Sequence, residues 1–477
     1  MVQLKSGLEI HQQLDTHKLF CKCPSILRSD EPTSEVKRKL HAVAGEGGSV
    51  DVAAAYEAEK DKEFIYQSYD TTCLVELDEE PPHLINQEAL QIALHVSLLM
   101  NCEIVPITQI MRKTVVDGSN TSGFQRTVLI GRDGYIETKN GRVGINYVYL
   151  EEDAARPASG GDIDSNGVDD VKVYKLDRLG IPLLEVVTAP DIKTPEQAKD
   201  VALEIGDILR SCKVKRGIGT IRQDINVSIP GHPRAEIKGF QDPDIFIDVV
   251  EKEMKRQEND LNNGKEMKNE VRGSNSDGTT KFLRPLPSSA RMYPETDLPL
   301  LRISKQIIDE AKRTLPKLRS EIKAELRKKG LRDEEVQILL KQDRLVDFNG
   351  LLNIINDPRF VFKVLIEIPK EVGKHSGKKV DGILTLDVVE SIVHAIDGGK
   401  IDRDDVKHVM EELVNGKSFE NSIKVEKVDL GEIEKEVAKI VKSKPGLTLG
   451  GYMGLVMAKF KGKVSGKEVS DILSKLL

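Results

Sequence analysis

The sequence predicts an α+β protein in which a domain built on a largely antiparallel sheet is followed by an all-α helical domain and an α-helical tail domain. Up to about residue 300, short segments of alternating apolar and polar residues predominate, and strands and helices do not alternate regularly. From Ser304 to the end, apolar residues recur at helical spacing. The first pattern is typical of antiparallel strands with one buried face, and the second of amphipathic helices.

The individual strands are predicted from period-two alternation, in which residues i and i+2 share a face. The predicted strands are residues 105–116, 124–130, 146–150, 171–176, 183–188, 219–229 and 235–240. Three helices interrupt them, at residues 87–100, 195–212 and 245–257. Thr194 followed by Pro195 has the residue types of a helix N-cap and a first helical position.

The length of 477 residues exceeds what one hydrophobic core supports and predicts several domains. We expect the sheet domain in residues 1–300, the helical domain in residues 301–373 and the tail domain in residues 374–477. Within the first domain, residues 259–280 are rich in Asn, Gly, Lys, Glu and Ser and lack apolar periodicity. That composition predicts an exposed loop.

Composition restricts the class of protein. A hydrophobic content of 39% and a charged content of 31% are those of a soluble globular protein. No apolar run reaches the roughly 18 residues of a membrane span and no secretory leader begins the chain, so we expect no membrane association. Five cysteines, an odd number, favour a reducing, cytoplasmic location over a disulfide framework. The net charge of −7 means that nucleic acid could be bound only through local basic patches.

Three acidic segments lie far apart in the chain, at residues 7–11 (GLEIH), 149–153 (YLEED) and 222–226 (RQDIN). In an extended strand, Glu9 and His11 share one face, opposite Leu8 and Ile10. Carboxylates and an imidazole presented from strands can hold a divalent cation, and such a cation binds nucleotide phosphates. For any one segment alone, a solvated strand face is the more common explanation.

Longer motifs in a fixed order are more specific. They are GLEIHQQLDTHKLFCKCPS (7–25), LDEEPPH (77–83), VDGSNTSGFQRT (116–127), YLEEDAARP (149–157), RLGIPLLEVVTAPD (178–191) and RMYPETDLP (291–299). Together they resemble the B/E family of tRNA-dependent amidotransferase subunits, over nearly the whole chain. The segments at 77–83 and 116–127 resemble the E subunits of archaeal glutamyl-tRNA(Gln) amidotransferase more than bacterial B subunits. The inserted domain usual in E subunits, which resembles one in bacterial aspartyl-tRNA synthetases, is replaced by the short segment 259–280.

The resemblance implies a cradle-shaped first domain that binds ATP and Mg²⁺. The metal ligands that it implies are Glu9, His11, Glu151, Glu152 and Glu185. Because alternation places Glu151 and Glu152 on opposite faces, both reach one ion only if the strand ends or bulges there. Mg²⁺ prefers oxygen ligands, so His11 either supports the ligands or binds a borderline metal, and a structural histidine is the alternative.

Phosphoryl transfer requires positive charge near the leaving phosphates, and the sequence has no GxxxxGK[ST] phosphate loop. The predicted ATP- and substrate-binding residues are Arg178, Arg222, Asp224, Lys238, Ser119 and Ser122. The two serines belong to residues 117–123, a segment of hydroxyls and glycines that suits an anion or an acyl group and is otherwise a simple turn. The predicted catalytic residues are Glu9, His11, Glu151 and Lys238.

The spacing Cys21-x-Cys23 is that of half a zinc site, and Cys73 is the nearest further cysteine. With His17 or His83, three thiolates would complete a Cys₃His set of ligands. The 50 residues between Cys23 and Cys73 are no zinc signature. We therefore favour unliganded thiols, with structural Zn²⁺ as the less favoured interpretation.

The resemblance also implies a reaction and a partner. ATP would phosphorylate the γ-carboxylate of the glutamate on Glu-tRNA(Gln), and ammonia would then displace phosphate. No glutaminase nucleophile can be recognised, so the ammonia is expected from a glutaminase-type D subunit (asparaginase-like), in a heterotetramer of two D and two E subunits. Two alternatives are a bacterial-type B subunit that acts on Glu-tRNA(Gln) or Asp-tRNA(Asn), and a non-catalytic tRNA-binding scaffold of the same fold.

Basic residues that could meet tRNA phosphates are concentrated in residues 311–330, which contain eight Lys or Arg against two Glu. The predicted tRNA contacts are Lys312, Arg313, Lys317, Arg319, Lys459, Lys461 and Lys463. A charged, solvated helix face is the alternative. Aromatic residues make up only 4% of the chain, so we expect recognition of the tRNA shape and backbone rather than base stacking.

Overall fold

A computed structural model describes residues 3–45, 47–158, 171–239, 245–423, 430–459 and 466–476. The chain divides into two compact units, Met1–Arg319 and Ser320–Leu477. All described strands belong to the first unit, and the described elements of the second are helical. The predicted α+β class, with a sheet domain followed by helices, is confirmed.

Seventeen strands are present in the described residues. They are β1 (Lys5–Gln13), β2 (Ser34–Lys39), β3 (Glu63–Ser68), β4 (Glu103–Ile104), β5 (Ile107–Thr108), β6 (Met111–Thr114), β7 (Phe124–Thr138), β8 (Gly141–Glu152), β9 (Arg156–Pro157), β10 (Val171–Lys175), β11 (Pro182–Thr188), β12 (Ile221–Ser228), β13 (Ala235–Lys238), β14 (Glu270–Ser274), β15 (Thr280–Pro285), β16 (Met292–Pro294) and β17 (Leu301–Arg302).

The same part of the chain contains sixteen α-helices. They are α1 (Val52–Ala58), α2 (Gln87–Leu99), α3 (Pro195–Ser211), α4 (Phe246–Asn262), α5 (Lys305–Arg313), α6 (Arg319–Lys328), α7 (Asp333–Lys341), α8 (Leu345–Leu352), α9 (Pro358–Phe362), α10 (Ile368–Ser376), α11 (Leu386–Asp397), α12 (Val406–Val414), α13 (Phe419–Ser422), α14 (Leu430–Ser443), α15 (Leu449–Lys459) and α16 (Gly466–Leu476).

Eleven strands form the main sheet, in the order β15–β14–β13–β12–β1–β11–β8–β7–β6–β16, with β4 also paired to β7. The parallel pair is β13 and β14, and the other neighbours are antiparallel. β1 lies inside the sheet between β11 and β12. Three strands that are distant in sequence therefore meet side by side at the first acidic segment.

Period-two alternation gives β1 one apolar and one polar face. Leu8 and Ile10 are 1% and 0% exposed and belong to the largest hydrophobic cluster, together with buried side chains of β12, α2, α3 and α4. Full burial of each such side chain stabilises the fold by about 1.5–3 kcal/mol. The helices thus cover one face of the sheet, and Glu9 and His11 project from the other.

The helix α3 begins where the sequence predicts. The Thr194 hydroxyl accepts a hydrogen bond from the Gln197 amide at 3.1 Å, and Pro195 occupies the first turn. A cap of this kind contributes about 1 kcal/mol. The fully buried stripe of α3 consists of Ala198, Val201, Ile205 and Leu209. This stripe joins the cluster behind β1 and holds the helix against the sheet.

A second sheet, in the order β2–β3–β10–β9, supports the segment at residues 117–123. The Tyr66 hydroxyl donates to the Gly118 carbonyl at 2.8 Å. Gly118 has a φ of 94°, and a Cβ at this position would lie 2.2 Å from the Phe64 ring. Only glycine fits this conformation and this space, so the aromatic side chains of the second sheet determine the path of the segment.

The second unit contains two hydrophobic clusters within its described residues. The first runs from Leu326 to Val414, and the second joins α14, α15 and α16 through Val437, Tyr452 and Val469. The domain boundary expected at residue 373 falls inside α10, whose Val372 is buried in the first of these clusters. Among the described helices, none has both the length and the apolar character needed to cross a bilayer.

Residues 259–280 differ from the exposed loop that their composition predicts. They contain the end of α4, all of β14 and the first residue of β15. β14 lies between β13 and β15, with Val271 buried and the Arg272 guanidinium 2.8 Å from the Glu270 carboxylate. A strand held by pairing and ion pairs, with a single large apolar residue, has too little alternation to be recognised from sequence.

The buried side chain of Glu295 links the neighbouring strands β6 and β7 of the main sheet through Arg112 and Arg126. Its side chain is 0% exposed and accepts hydrogen bonds from Arg112 Nη2 at 2.6 Å and Arg126 Nε at 2.8 Å. Burial alone would raise the pKa of Glu295, but the hydrogen bonds from the two guanidinium groups lower it below its usual value. The fold therefore stabilises the ionised carboxylate.

Glu295→Gln should lower the free energy of unfolding by about 3 kcal/mol near neutral pH, because two largely buried guanidinium groups lose their charged acceptor. A lowered acid pKa adds stability above the unfolded-state pKa, and this stability is lost as the pH falls through the folded-state pKa. The difference between wild type and variant should therefore shrink below about pH 4.5.

Urea unfolding at a series of pH values measures this difference. Glu137→Gln is the matched control, because Glu137 pairs with Arg142 at an exposed site and should contribute less than about 1 kcal/mol. A destabilisation by Glu295→Gln that stays constant from neutral to acidic pH would contradict the role assigned to the carboxylate.

Candidate active site

The polar face of the main sheet borders a cavity of about 410 Å³. The ionisable side chains that line it include Glu9, His11, Lys113, Glu185, Glu236 and Lys238. Strand register brings these groups together, since Glu9 lies opposite Asp224 of β12 and His11 lies opposite Glu185 of β11. The acidic segments are visible in the sequence, and strand pairing brings them close together. Glu9, His11 and Glu185 line this cavity, whereas Asp224 lines a second, adjoining cavity.

The first acidic group consists of His11, Glu151 and Glu185, whose candidate ligand atoms all lie within 4.8 Å of one another. Glu151 is 0% exposed and Glu185 is 8% exposed. Lys113 Nζ lies 2.5 Å from the Glu151 carboxylate and 3.1 Å from that of Glu185. A lysine that no sequence motif singles out therefore supplies the positive charge of this group.

The protonation of this group follows from its burial. Burial and the Glu185 charge raise the pKa of Glu151 well above its usual value. The pKa of Glu185 is well below its usual value, because the Lys113 ammonium and a hydrogen bond from Glu151 outweigh burial. Burial lowers the pKa of His11, so its imidazole is neutral near pH 7, the form in which histidine binds a metal.

The second acidic group consists of Glu9, Asp224 and Glu236, again with ligand atoms within 4.8 Å of one another. Lys238 Nζ lies 2.5 Å from Asp224 and 2.7 Å from Glu236. Lys238 and Asp224 were predicted from the sequence, but Glu236 was not. The signal was present, because Glu236 and Lys238 are two residues apart in a predicted strand and share its polar face.

Glu9 is the member of the second group that lacks a lysine within ion-pair distance among the described residues. It accepts a hydrogen bond from Asn226 Nδ2 at 2.9 Å. Burial, with the charges of Glu236 and Glu185, raises the pKa of Glu9 to about 7. Near neutral pH this carboxyl group is therefore poised between its two protonation states.

Three arginines that were not predicted from the sequence, Arg234, Arg284 and Arg291, also line the cavity. Within the part of the chain that the structure describes, their guanidinium groups form no hydrogen bond and no ion pair within 4.0 Å. Arg234 directly precedes β13, Arg284 belongs to β15 and Arg291 lies in the turn before β16, and no single motif contains all three. Their proximity is a consequence of tertiary folding.

Comparison with known proteins agrees with this architecture. A family model described as the GatB/GatE catalytic domain matches residues 4–309. The chain belongs to the GatB/GatE family. This confirms the family that the motifs at residues 7–25, 77–83 and 116–127 indicate.

Two curated relatives align with this chain over nearly their whole length. The chain is 38% identical to the E subunit of glutamyl-tRNA(Gln) amidotransferase from Methanocaldococcus jannaschii, in an alignment that covers 100% of this chain and 98% of the relative. Identity to the protein of the same name from Sulfurisphaera tokodaii is 33%, with 100% and 99% covered. The first alignment spans 630 positions, whereas this chain has 477 residues. The relative from Methanocaldococcus jannaschii therefore has segments without a counterpart in this chain.

Glu152, which follows Glu151 in this chain, lies outside the first acidic group. Its carboxylate accepts from the Arg126 amide at 3.2 Å and lies 3.4 Å from the Arg126 guanidinium. Burial raises the pKa of Glu152. The strand continues through both residues, so their side chains point to opposite faces, as alternation requires.

The two arginines predicted to bind phosphate have other partners. Arg178 donates to the carbonyls of Ala154 at 2.7 Å and Ala155 at 2.9 Å. Arg222 Nη2 lies 2.8 Å from Asp153 and lines an adjoining cavity of about 320 Å³, together with His11, Asp224 and Lys238. Arg222 thus remains close to predicted site residues, whereas Arg178 lines neither cavity.

The hydroxyls of Ser119 and Ser122 are directed to their own segment. Ser119 Oγ donates to Asp117 at 2.6 Å, and Ser122 Oγ donates to the Phe124 carbonyl at 3.0 Å. Neither serine lines the two cavities. Residues 117–123 therefore form a turn before β7 that is held by hydrogen bonds of its own side chains.

The residues predicted to bind tRNA fall in both units. Lys312, Arg313, Lys317 and Arg319 lie at the end of the first unit, where Arg313 pairs with Glu310. Lys459 of the second unit pairs with Glu436. Lys461 and Lys463 lie outside the described residues. Exposed ion pairs of this kind contribute little to stability, so both paired residues could exchange partners with a phosphate.

Proposed function

We propose that this chain uses ATP to phosphorylate the γ-carboxylate of glutamate on tRNA(Gln), and then amidates the acyl phosphate with ammonia to give Gln-tRNA(Gln). The observation that carries the proposal is a single cavity lined by members of both acidic groups and by three arginines that form no ion pair within 4.0 Å among the described residues. The names of the relatives, which are E subunits of glutamyl-tRNA(Gln) amidotransferase, supply the substrate.

The first acidic group fits a divalent cation such as Mg²⁺. Glu151 and Glu185 offer carboxylate oxygens and His11 a neutral imidazole. Apart from the contacts with Lys113 and Glu185, the two buried Glu151 oxygens have no hydrogen-bond partner among the described residues, so acceptor capacity remains for a cation. A bound cation there would supply positive charge to phosphate oxygens.

The arginines provide a site for the phosphates on the same cavity. Arg284 and Arg291 are half-buried and Arg234 is exposed, and none of the three forms an ion pair within 4.0 Å with the described side chains. Guanidinium groups bind phosphate oxygens through two parallel N–H donors. Lys238 adds an ammonium group whose pKa is raised by Asp224 and Glu236 despite burial, so that it stays charged.

The chemistry requires activation of the carboxylate. A glutamate carboxylate resists attack by ammonia, whereas an acyl phosphate has a good leaving group. In the first step, a γ-carboxylate oxygen attacks the terminal phosphorus of ATP, and ADP leaves. In the second step, ammonia attacks the carbonyl carbon of the acyl phosphate, phosphate leaves, and the nitrogen gives up a proton. Arg234, Arg284, Arg291 and Lys238 would stabilise the negative charge that moves between phosphates.

Ammonia would come from a second protein. We propose a glutaminase-type D subunit as its source, in a heterotetramer of two D and two E subunits. The tRNA body would be bound by the basic residues Lys312, Arg313, Lys317, Arg319 and Lys459. Basic side chains would contact the phosphate backbone of the folded tRNA, and the affinity for tRNA should therefore fall steeply as the salt concentration rises.

The decisive experiment measures ATP hydrolysis and Gln-tRNA formation by the full chain, with ammonium as the nitrogen donor. Glu-tRNA(Gln), Glu-tRNA(Glu) and a reaction without tRNA are compared. We expect ADP and Gln-tRNA only with Glu-tRNA(Gln). If neither tRNA supports ATP turnover, even with a D-type partner added, the chain is a tRNA-binding scaffold.

The arginines are tested by Arg284→Ala and Arg291→Ala. Each should raise the KM for ATP about tenfold or more, because a hydrogen bond between charged groups contributes about 1.5–3 kcal/mol. Arg142→Ala is the control, since Arg142 pairs with Glu137 and does not line the cavity. An unchanged KM in both variants would remove the arginines from the phosphate site.

Two adjacent glutamates test the cation site. Glu151→Gln should weaken Mn²⁺ binding at least about tenfold, whereas Glu152→Gln should leave it unchanged, because the two side chains face opposite sides of β8. Titration of the full chain with Mn²⁺, followed by electron paramagnetic resonance of the free ion, measures both. If both variants lose Mn²⁺ affinity equally, the loss reflects a destabilised fold rather than the removal of a metal ligand.

A further inference from the structure

Two tyrosines of β8 line the candidate active-site cavity, and the proposed reaction assigns them no role. Tyr147 and Tyr149, here called the β8 tyrosines, both border the cavity, with ring centroids 5.6 Å apart and ring planes inclined by 38°. Tyr147 is 41% exposed, although aromatic side chains make up only 4% of the chain. An aromatic pair that remains accessible in a cavity offers a surface on which a flat ring can stack.

Strand register places the pair beside the first acidic group. Tyr149 lies opposite Glu185 of β11, and Glu185 lies in turn opposite His11 of β1. Tyr147 lies opposite Val187, one step further along the same face of the sheet. Neighbouring strands are about 4.8 Å apart. A ring stacked on the pair would therefore lie within one or two strands of the groups that fit a divalent cation.

Apolar side chains also line this cavity. Leu286 and Met292 belong to residues 284–292, the segment that also carries Arg284 and Arg291. Guanidinium groups suit phosphates, and apolar side chains suit the faces of an aromatic base. One segment thus brings both kinds of group to the cavity that the β8 tyrosines border. That combination is the one that a nucleotide requires.

The buried tyrosines of the second sheet have a structural role that the β8 tyrosines lack. The Tyr66 hydroxyl donates to the Gly118 carbonyl at 2.8 Å, and the Tyr174 hydroxyl donates to the Asp117 carbonyl at 3.0 Å. Within the described part of the chain, the hydroxyls of the β8 tyrosines form no hydrogen bond. Structural hydrogen bonding therefore does not account for the pair.

We propose that the β8 tyrosines bind the adenine ring of an adenosine. Two substrates of the proposed reaction present this ring: ATP, and the 3′-terminal adenosine of the tRNA, whose ribose carries the glutamate. In each, a ribose and a short flexible chain join the base to the reacting group. Every base has a π face, so the pair can stack either adenine. The pair is a local exception to the low aromatic content from which we expected no base stacking.

The absence of tryptophan from the chain allows a direct test. In the full chain, Tyr147→Trp introduces a single indole, whose fluorescence a stacked adenine should quench. Titration with ATP and Mg²⁺ is compared with titration with inorganic tripolyphosphate, which has the phosphates but lacks the base. Tyr135→Trp is the matched control, because the Tyr135 ring lies 3.9 Å from the Arg142 guanidinium, does not line the cavity and should not respond.

A second pair of titrations identifies the source of the adenine. Uncharged tRNA(Gln) is compared with tRNA(Gln) from which the terminal adenosine has been removed. Quenching by ATP but not by tripolyphosphate assigns the pair to the nucleotide, and quenching by the intact but not the shortened tRNA assigns it to the aminoacyl end. We expect at least one of these differences. If ATP and tripolyphosphate act alike and the two tRNAs act alike, the pair binds no adenine and the proposal is overturned.

Affinities of two further variants separate stacking from stability. Tyr147→Ala should weaken binding of the ligand that quenches by about tenfold or more, whereas Tyr147→Phe keeps the ring face and should change the affinity less than about threefold. Circular dichroism and urea unfolding show whether each variant is folded. A folded Tyr147→Ala variant that binds as tightly as the wild type would show that the pair only stabilises the sheet, and would overturn the proposal.

The proposal rests on the proposed function for the choice of adenosines, but its test measures binding without turnover. If the chain forms no Gln-tRNA and adenine still quenches Tyr147→Trp, the proposed reaction fails and the adenine site stands. If Gln-tRNA forms and the titrations show no effect of the base, the adenine site alone fails.

Discussion

The position of β1 between β11 and β12 is the constraint on which the rest of the first unit depends. Alternation along β1 sends Leu8 and Ile10 into the main core and Glu9 and His11 into the cavity. A slip of one residue would exchange the two faces, burying charges and exposing apolar side chains. The core that stabilises the sheet therefore also determines which carboxylates meet.

Charge compensation within the cavity is local and uneven. Lys113 pairs with Glu151 and Glu185 of the first acidic group, and Lys238 pairs with Asp224 and Glu236 of the second, through contacts of 2.5–3.1 Å. Buried charges without such partners would destabilise the fold by several kcal/mol. The three arginines have no equivalent acidic partner among the described residues, so the protein retains positive charge for a ligand.

Support for the cavity comes from segments that do not line it. The aromatic side chains of the second sheet determine the path of residues 117–123 around Gly118, and Thr121 bonds to the turn that carries Glu76. Ser119 and Ser122 lie in this segment, and their hydroxyls are used within it. A hydroxyl-rich motif in this protein thus shapes a turn, whereas the charged groups that line the cavity belong to the main sheet and its connecting turns.

The sequence by itself determined the fold class, the alternation of β1, the cap of α3 and the family, because each depends on neighbouring residues or on long motifs. Only the tertiary structure revealed that Lys113, Glu236 and the three arginines line the cavity. These residues come from strands and turns far apart in the chain, and strand pairing decides which side chains meet. The strand at residues 270–274 was missed for the same reason, since its stability comes from its neighbours in the sheet rather than from its own apolar pattern.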